Sequence, residues 1–181
     1  WRRLFEILSA KELVIPRWHR PNLNDPKIVG QLRDTAPSLI VSGFYPERIP
    51  QPILDFAPGL NVHPSDLPQW RRPDPIVQTV LSGQPTTAIC VHRLSQELDA
   101  GDIVSRRTIE VEPRTDSGRL SLKLESLGAS FLVQTVSAWV HNAGLPAMPQ
   151  EGSPTFAPQR PDLWWEIDWS RPAEEVDRFV R

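Results

Sequence analysis

Cysteine and methionine are almost absent from this chain of 181 residues, which contains one of each. A single cysteine excludes a framework of disulfide bonds, and no group of Cys and His residues has the spacing of a zinc site. We expect Cys90 to be a buried structural thiol because it lies within a predicted strand. Glycine is also scarce, with 9 residues against 20 prolines. Because 39% of the residues are hydrophobic, a buried core is possible, and the prolines are expected to mark turns rather than disorder.

The chain also lacks an excess of charge of either sign, and it has no long apolar run. With 20 Lys and Arg against 22 Asp and Glu, its net charge of -2 excludes a strongly basic nucleic-acid-binding protein. No apolar run approaches the roughly 18 residues of a membrane span. We expect a soluble protein with no membrane contact, cytoplasmic and monomeric. The chain begins at Trp1 without an initiator Met, and we interpret it as a fragment.

Segments typical of strands alternate with segments typical of helices along most of the chain. The short apolar runs 38–43 and 59–63 are typical of buried strands, and β-branched residues favour strands at 86–94 and 103–111. Apolar residues three to four positions apart predict a long helix over 117–142. Shorter helices are predicted at 3–13, 24–35, 53–56, 75–81 and 173–180. This alternation favours an α/β, Rossmann-like fold with a mostly parallel sheet flanked by helices, whose ligands bind beyond the carboxyl ends of the strands.

Two polar residues lie at the end of the strand predicted at 59–63. Asn61 and His63 are two positions apart, so their side chains share one face of the strand. An asparagine amide can donate a hydrogen bond to a developing oxyanion, and histidine can exchange a proton near neutral pH. Pro64 ends the strand directly after them. The pair therefore predicts a catalytic site at the mouth of a cleft, although such a histidine, taken alone, more often caps a loop.

An acidic loop joins the two β-branched strands and contains Glu97, Asp99, Gly101 and Asp102. Asp and Gly are frequent in turns for backbone reasons, so a solvated turn is one interpretation. The three acidic residues are hard oxygen donors, so a divalent-metal site is a second one, although their density is low for a dedicated site. A carboxylate close to a histidine is the third interpretation, because it can keep the imidazole protonated or fix its tautomer.

Asn61, His63 and Asp99 around one cleft would suit the transfer of an acyl group. The amide and a protonated imidazole would stabilise the tetrahedral oxyanion, and the carboxylate would handle the proton that the nucleophile loses. No Ser or Cys nucleophile is needed if the substrate brings its own amine.

The segment 59–76, GLNVHPSDLPQWRRPDPI, resembles the signature N-x-H-x-S-x-L-P-x-[YW]-R-G-x-x-P of the 10-formyltetrahydrofolate-dependent formyltransferases. The later segment 98–102, LDAGD, resembles that family's L-D-x-G loop. The two motifs occur in the family's order and at about its spacing. The resemblance covers roughly residues 14 to 181 and implies the fold of the family's catalytic domain, with the first strand missing here.

The resemblance also implies the substrates and the site residues. Asn61 and His63 would bind and polarise the formyl oxygen, and Asp99 would support the histidine and relay protons through water. The formyl donor would be 10-formyltetrahydrofolate, without a metal. The folate pocket would be lined by residues of two loops, namely Phe44, Tyr45, Ile49, Glu97 and Leu98. Arg72 departs from the family pattern, which usually has glycine there, so its backbone would be strained if it needs a conformation that favours glycine.

The tail of the chain bears on the acceptor and on the domain organisation. The stretches 155–158 and 167–169 resemble the end of the catalytic domain in methionyl-tRNA formyltransferases, so the amine acceptor would be initiator methionyl-tRNA. The same tail occurs in sugar-nucleotide formyltransferases, which makes an N-formyltransferase acting on an amino sugar the alternative. A further alternative is a folate-binding relic without catalysis. We expect residues 1–145 to form an N-terminally truncated catalytic domain and residues 146–181 to form an extended strap leading toward an absent C-terminal domain.

Overall fold

A computed structural model describes residues 21–43, 45, 47–157 and 166–181 of the chain. The helix expected at 3–13 and the candidate folate residue Phe44 lie outside these residues. Within them the predicted strands and helices are confirmed, with small shifts at their ends. In chain order they are α1 (Pro26–Asp34), β1 (Ile40–Gly43), α2 (Gln51–Leu54), β2 (Gly59–His63), α3 (Pro75–Ser82), β3 (Thr86–Arg93), β4 (Ile103–Glu110), α4 (Ser117–His141) and α5 (Ala173–Val180).

The described strands form one sheet in the order β1-β2-β3-β4. β1 pairs with β2 in parallel, whereas β2 with β3 and β3 with β4 are antiparallel. The expected parallel pairing is therefore limited to β1 and β2 in this part of the chain, and the sheet there is mixed. The loop 94–102 between β3 and β4 explains one reversal, because a parallel pair needs a crossover of about a dozen residues or more.

The core lies between the sheet and the long helix α4. Leu60 and Val62 of β2 and Ile89 and Val91 of β3 are buried on this side of the sheet. They pack in one cluster with apolar residues of α4, among them Leu120, Leu124, Phe131 and Leu132. Side chains alternate along a strand, so Asn61 and His63 of β2 lie on the opposite face of the sheet.

Local sequence signals explain where the long helix starts and stops. Asp116 precedes α4, and its Oδ1 accepts a hydrogen bond from the backbone N–H of Arg119 at 2.7 Å, as an N-cap residue does. Gly144 follows the helix in a left-handed conformation with φ of 125°, which favours glycine. None of the helices in the described ranges is both long enough and apolar enough to cross a membrane.

Residues 146–157 of the strap lie beside β4 and along the loop that follows β2. Met148 and Ile103 exchange two backbone hydrogen bonds of 2.8 and 2.9 Å. The backbone N–H of Thr155 donates to the carbonyl of Pro68 at 3.2 Å, and the N–H of Arg71 donates to the carbonyl of Thr155 at 3.0 Å. This part of the strap is therefore hydrogen-bonded along the loop that follows the N-x-H residues.

Candidate active site

Three polar side chains meet on the sheet face opposite α4, where β2 and β3 pair. The antiparallel register places Asn61 opposite His92 and His63 opposite Cys90. Paired residues of neighbouring strands share a face, so Asn61, His63 and His92 lie together. They are only 8%, 6% and 1% exposed, so their polar atoms need partners within the protein.

The hydrogen bonds of His92 orient the amide of Asn61. His92 Nδ1 lies 2.8 Å from the carbonyl oxygen of Arg93, which can only accept, so Nδ1 carries a hydrogen. In the neutral ring Nε2 is then an acceptor, and the Nδ2 of Asn61 donates to it at 3.0 Å. This bond fixes which end of the Asn61 amide is nitrogen and leaves that nitrogen a second hydrogen to donate to a ligand. His92 is a functional candidate that the sequence analysis missed, because its partner is set by strand register.

His63 is held between a backbone carbonyl and a carboxylate. Its Nε2 lies 3.0 Å from the carbonyl oxygen of Trp70 and donates to it, while its Nδ1 lies 3.5 Å from Oδ1 of Asp99. The loop after β2 thus returns to contact the histidine that precedes it. This is more than a histidine capping a strand end, because the second ring nitrogen is aimed at a charged group.

The loop 94–102 brings Asp99 to the two histidines. Oδ1 of Asp99 also lies 3.6 Å from Nε2 of His92, and its Oδ2 accepts the backbone N–H of Arg72 at 2.9 Å. The side chain is 13% exposed, so Asp99 is not part of a solvated turn. Its backbone is left-handed with φ of 56°, a conformation that aspartate tolerates better than most residues. Gly101 is required by space, since a Cβ there would overlap the carbonyl oxygen of Arg93.

Burial and nearby charges act in opposite directions on the pKa of Asp99 and on that of His63. Burial acts to raise the pKa of Asp99, but the nearby side chain of His92, the positive charge that His63 carries when protonated and the N–H of Arg72 outweigh it and hold that pKa well below its usual range. For His63, burial dominates and lowers the pKa below its ordinary 6.5, although Asp99 acts in the opposite direction. Near pH 7 the unliganded site therefore holds an ionised Asp99 beside a His63 whose charged form is disfavoured by burial.

The loop from Pro64 to Asp74 is fastened at several points. Ser65 Oγ donates to the carbonyl of Gln69 at 2.6 Å, and Arg106 of β4 donates to the carbonyl of Leu67 at 2.5 Å. Arg72 has φ of 84°, so the strain anticipated from its position in the family pattern is present. The strained backbone is nevertheless useful, because it directs the N–H of Arg72 at Asp99.

A cleft of about 430 Å³ opens beside these residues. Asn61, His63 and Asp99 line it together with Tyr45 and Leu98. Ile49 and Glu97 are not among its lining residues, and the side chain of Glu97 is 68% exposed and 3.5 Å from Arg71. Within the described ranges, no group of three or more His, Cys, Asp or Glu side chains is placed to hold a metal ion.

The expected burial of Cys90 is confirmed on this same face of the sheet. Burial raises the pKa of its thiol to about 11. A thiol with so high a pKa is not ionised near pH 7, so Cys90 is not an activated nucleophile. The groups that line the cleft include the amide of Asn61, the ionised carboxylate of Asp99 and the imidazole of His63, which suit proton transfer and oxyanion stabilisation.

The sequence of the chain is similar to that of known formyl-transferring proteins. Residues 5–136 match the sequence profile of the family described as formyl transferase. The methionyl-tRNA formyltransferase of Roseobacter denitrificans is 31% identical in an alignment of 175 residues that covers 95% of this chain and 56% of that protein. The methionyl-tRNA formyltransferase of Porphyromonas gingivalis is 32% identical over 182 residues, covering 96% of this chain and 55% of that protein. The chain thus spans about half the length of the curated relatives that it matches.

Solved structures share the fold at lower sequence identity. HypX from Aquifex aeolicus in complex with tetrahydrofolic acid superposes with a TM-score of 0.78 and 20% identity, covering 98% of this chain and 31% of HypX. A sugar N-formyltransferase from a Shewanella species superposes with a TM-score of 0.76 and 15% identity, covering 88% of this chain and 65% of that protein. At these identities the likeness concerns the fold, and it confirms the α/β, Rossmann-like class.

Proposed function

The chain belongs to the formyl transferase family, and we propose that it transfers a formyl group from 10-formyltetrahydrofolate to a primary amine. The observation that supports this most directly is the meeting of Asn61, His63 and Asp99 at one cleft. These are the residues that match the family's motifs, and they come from the end of strand β2 and from the loop 94–102, which are distant in sequence. Their hydrogen-bonding geometry supplies a donor for an oxyanion beside groups that accept a proton.

The dimensions and lining of the cleft are compatible with one end of a folate. A volume of about 430 Å³ falls within the range of small-molecule sites. Leu98 and Ile76 present apolar surface to it, and Asn61 and His63 present polar atoms. A flat aromatic ring could therefore lie against the apolar part with its formyl oxygen toward the amide.

Each of the three residues has a separate role in the proposed reaction. The donor supplies the formyl carbon; a bond forms between that carbon and the amine nitrogen, the bond from the carbon to N10 of the folate breaks, and the proton lost by the amine is returned to N10. Asn61 donates its second amide hydrogen to the oxyanion that develops on the formyl oxygen. Asp99 and His63 receive and return the proton, because the carboxylate is ionised and the neutral ring has a free electron pair on Nδ1.

For the acceptor we propose the amino group of methionyl-tRNA. The curated relatives at 31% and 32% identity are methionyl-tRNA formyltransferases, which supports this choice. The second candidate is the amino group of a nucleotide-linked sugar. It is supported by the likeness to a sugar N-formyltransferase over 88% of this chain.

Single-turnover transfer of labelled formyl carbon tests the reaction itself. The protein at its full encoded length should formylate an amine acceptor from 10-formyltetrahydrofolate. His63→Ala should slow the step by about a hundredfold or more while folate remains bound. His141→Ala is the matched control, because His141 lies at the exposed end of α4 and should leave the rate unchanged. Folate binding without transfer to any amine in the unmodified protein would overturn the proposal in favour of the non-catalytic relic.

Salt dependence separates the two acceptors. Binding of a tRNA releases counterions from several phosphates, so its affinity should fall steeply as salt rises. A nucleotide sugar carries few charges and should show a shallow dependence. We expect formylation of methionyl-tRNA, with a KM that depends steeply on salt. Transfer only to amino sugars would show that the acceptor is a nucleotide-linked sugar and not tRNA.

A further inference from the structure

The side chain of Gln150 in the strap uses all of its hydrogen-bonding capacity at the base of the candidate site. Its Nε2 donates to the carbonyl oxygens of Asp99 and Gly101 at 2.7 and 2.8 Å. Its Oε1 accepts from Arg71, with distances of 2.8 Å to Nη2 and 3.2 Å to Nε. An amide has two N–H donors and one carbonyl oxygen with two electron pairs, so no capacity is left over.

Gln150 itself is held in place by the backbone around it. Met148, two residues before it, is paired with Ile103 through backbone hydrogen bonds. Farther along, the N–H of Ala157 donates to the carbonyl of Arg71 at 2.7 Å. The strap is thus attached on both sides of Gln150, and the amide is presented from a fixed backbone.

The two segments that Gln150 joins are the ones that place the reacting groups. On one side, the carbonyl that it binds belongs to Asp99 itself. On the other, Arg71 lies between Trp70, whose carbonyl accepts from His63, and Arg72, whose N–H donates to Asp99. A shift of either segment would change the 3.5 Å separation of Asp99 Oδ1 and His63 Nδ1.

We propose that Gln150 is a positioning residue that sets the separation of Asp99 and His63 by holding together the loop 64–74, which contacts His63, and the loop 94–102, which carries Asp99. The catalytic part of this proposal rests on the proposed formyl transfer. The expected change in the pKa of His63 does not depend on that function. A glutamate at this position could still pair with Arg71. It would, however, place a carboxylate oxygen, which cannot donate a hydrogen bond, against the carbonyl oxygens of Asp99 and Gly101. An apolar side chain would leave Arg71 and both carbonyls without this partner.

The test replaces Gln150 with Met, which has a similar length and no hydrogen-bonding amide, in the protein at its full encoded length. The pKa of His63 is measured by NMR titration of its ring signals without any ligand, and the rate is measured as single-turnover formyl transfer. Because Asp99 raises the pKa of His63 and would no longer be held, that pKa should fall. The rate should fall about tenfold or more, since small misplacements of reacting groups are costly.

Gln84→Met is the matched control for a general loss of packing. Gln84 Nε2 donates to Oε1 of Gln69 at 3.2 Å, so the same chemical change removes one hydrogen bond to the same loop without touching Asp99 or His63. In Gln84→Met, the pKa of His63 and the rate of formyl transfer should equal those of the unmodified protein. If Gln150→Met matched this control in both measurements, the proposal would be wrong.

Gln150→Glu decides the matter if Gln150→Met does not fold. It keeps the partner of Arg71 and hence the attachment of the strap, but it loses the N–H donors, so the rate should again fall about tenfold or more. A rate equal to that of the unmodified protein would contradict the proposed positioning role of Gln150. An unmodified protein that transfers no formyl group, while Gln150→Met still lowers the pKa of His63, would instead refute the proposed function and leave the positioning intact.

Discussion

The amide of Asn61 donates a hydrogen bond to Nε2 of His92 at 3.0 Å, and the two residues face each other across the antiparallel pair of β2 and β3. His92 is almost fully buried and is anchored on its other nitrogen by the carbonyl of Arg93. The orientation of the proposed oxyanion donor is therefore controlled by a residue that matches neither motif of the formyltransferase signature.

We expect His92→Phe to slow formyl transfer by about tenfold or more while folate binding is retained. Phenylalanine keeps an aromatic ring but offers no acceptor, so the amide of Asn61 is free to rotate and the oxyanion loses a fixed donor. Single-turnover rates and a folate titration measure the two effects. His141→Phe, at the exposed end of α4, should leave both at their original values. An unchanged rate in His92→Phe would show that Asn61 is oriented by other contacts.

The pKa of His63 in the unliganded protein should lie below 6.5, because burial disfavours its charged form more than Asp99 favours it. Asp99→Asn removes the favourable charge, so the pKa should fall further, and asparagine tolerates the left-handed backbone at this position. NMR titration of the ring signals measures both values. Asp177→Asn is the control, because it removes a carboxylate that pairs instead with Arg181 at 3.1 Å. A rise of the pKa in Asp99→Asn would contradict the assigned coupling.

The backbone strain at Arg72 can be measured by comparing Arg72→Gly with Arg72→Ala. Both variants lose the guanidinium, which lies 5.0 Å from the ring centroid of Phe156, so this loss cancels in the comparison. At φ of 84° only the alanine variant keeps a Cβ in the left-handed region. The glycine variant should therefore have the larger free energy of unfolding, by about 1 kcal/mol, in chemical denaturation. Equal stabilities would mean that the loop relaxes around the side chain.

Gly101→Ala should lower the free energy of unfolding by about 2 kcal/mol and should also slow formyl transfer. The added Cβ would meet the backbone carbonyl of Arg93, which cannot turn aside as a side chain can, so the loop that carries Asp99 must move. Gly30→Ala is the matched change in α1, where nothing lies within 4 Å of the new Cβ. That control should be more stable by about 1 kcal/mol, as alanine is in a helix. Similar stability changes at the two positions would argue against the close contact.

The elements of this fold could be predicted well because each one depends on local patterns. The spacing of Leu120, Leu124 and Phe131 indicated the long helix, and the apolar run ending at His63 indicated the central buried strand. The direction of pairing between β2 and β3 could not be predicted in this way. The alternation of strands with helices predicted that neighbouring strands pair in parallel, whereas β2 and β3 are antiparallel in the structure.

The candidate site was predictable in its residue types but not in all its members. Asn61, His63 and Asp99 were singled out by spacing and by the family resemblance, and they line one cleft. Glu97 was grouped with the folate residues through the backbone of its loop, and that stays a prediction; its side chain is exposed and near Arg71. Gln150 was not predicted to have a role, because nothing in the composition of the strap indicates which loop this side chain contacts.

The sequence by itself determined the secondary structure and the motif residues, since both depend on neighbours a few positions apart along the chain. Only the tertiary structure decided that His92 is bonded to Asn61, that burial lowers the pKa of His63 and that Gln150 joins the loops 64–74 and 94–102. Those properties arise from strand register, from burial in a region of low dielectric and from contacts between distant segments, and no pattern of adjacent residues encodes them.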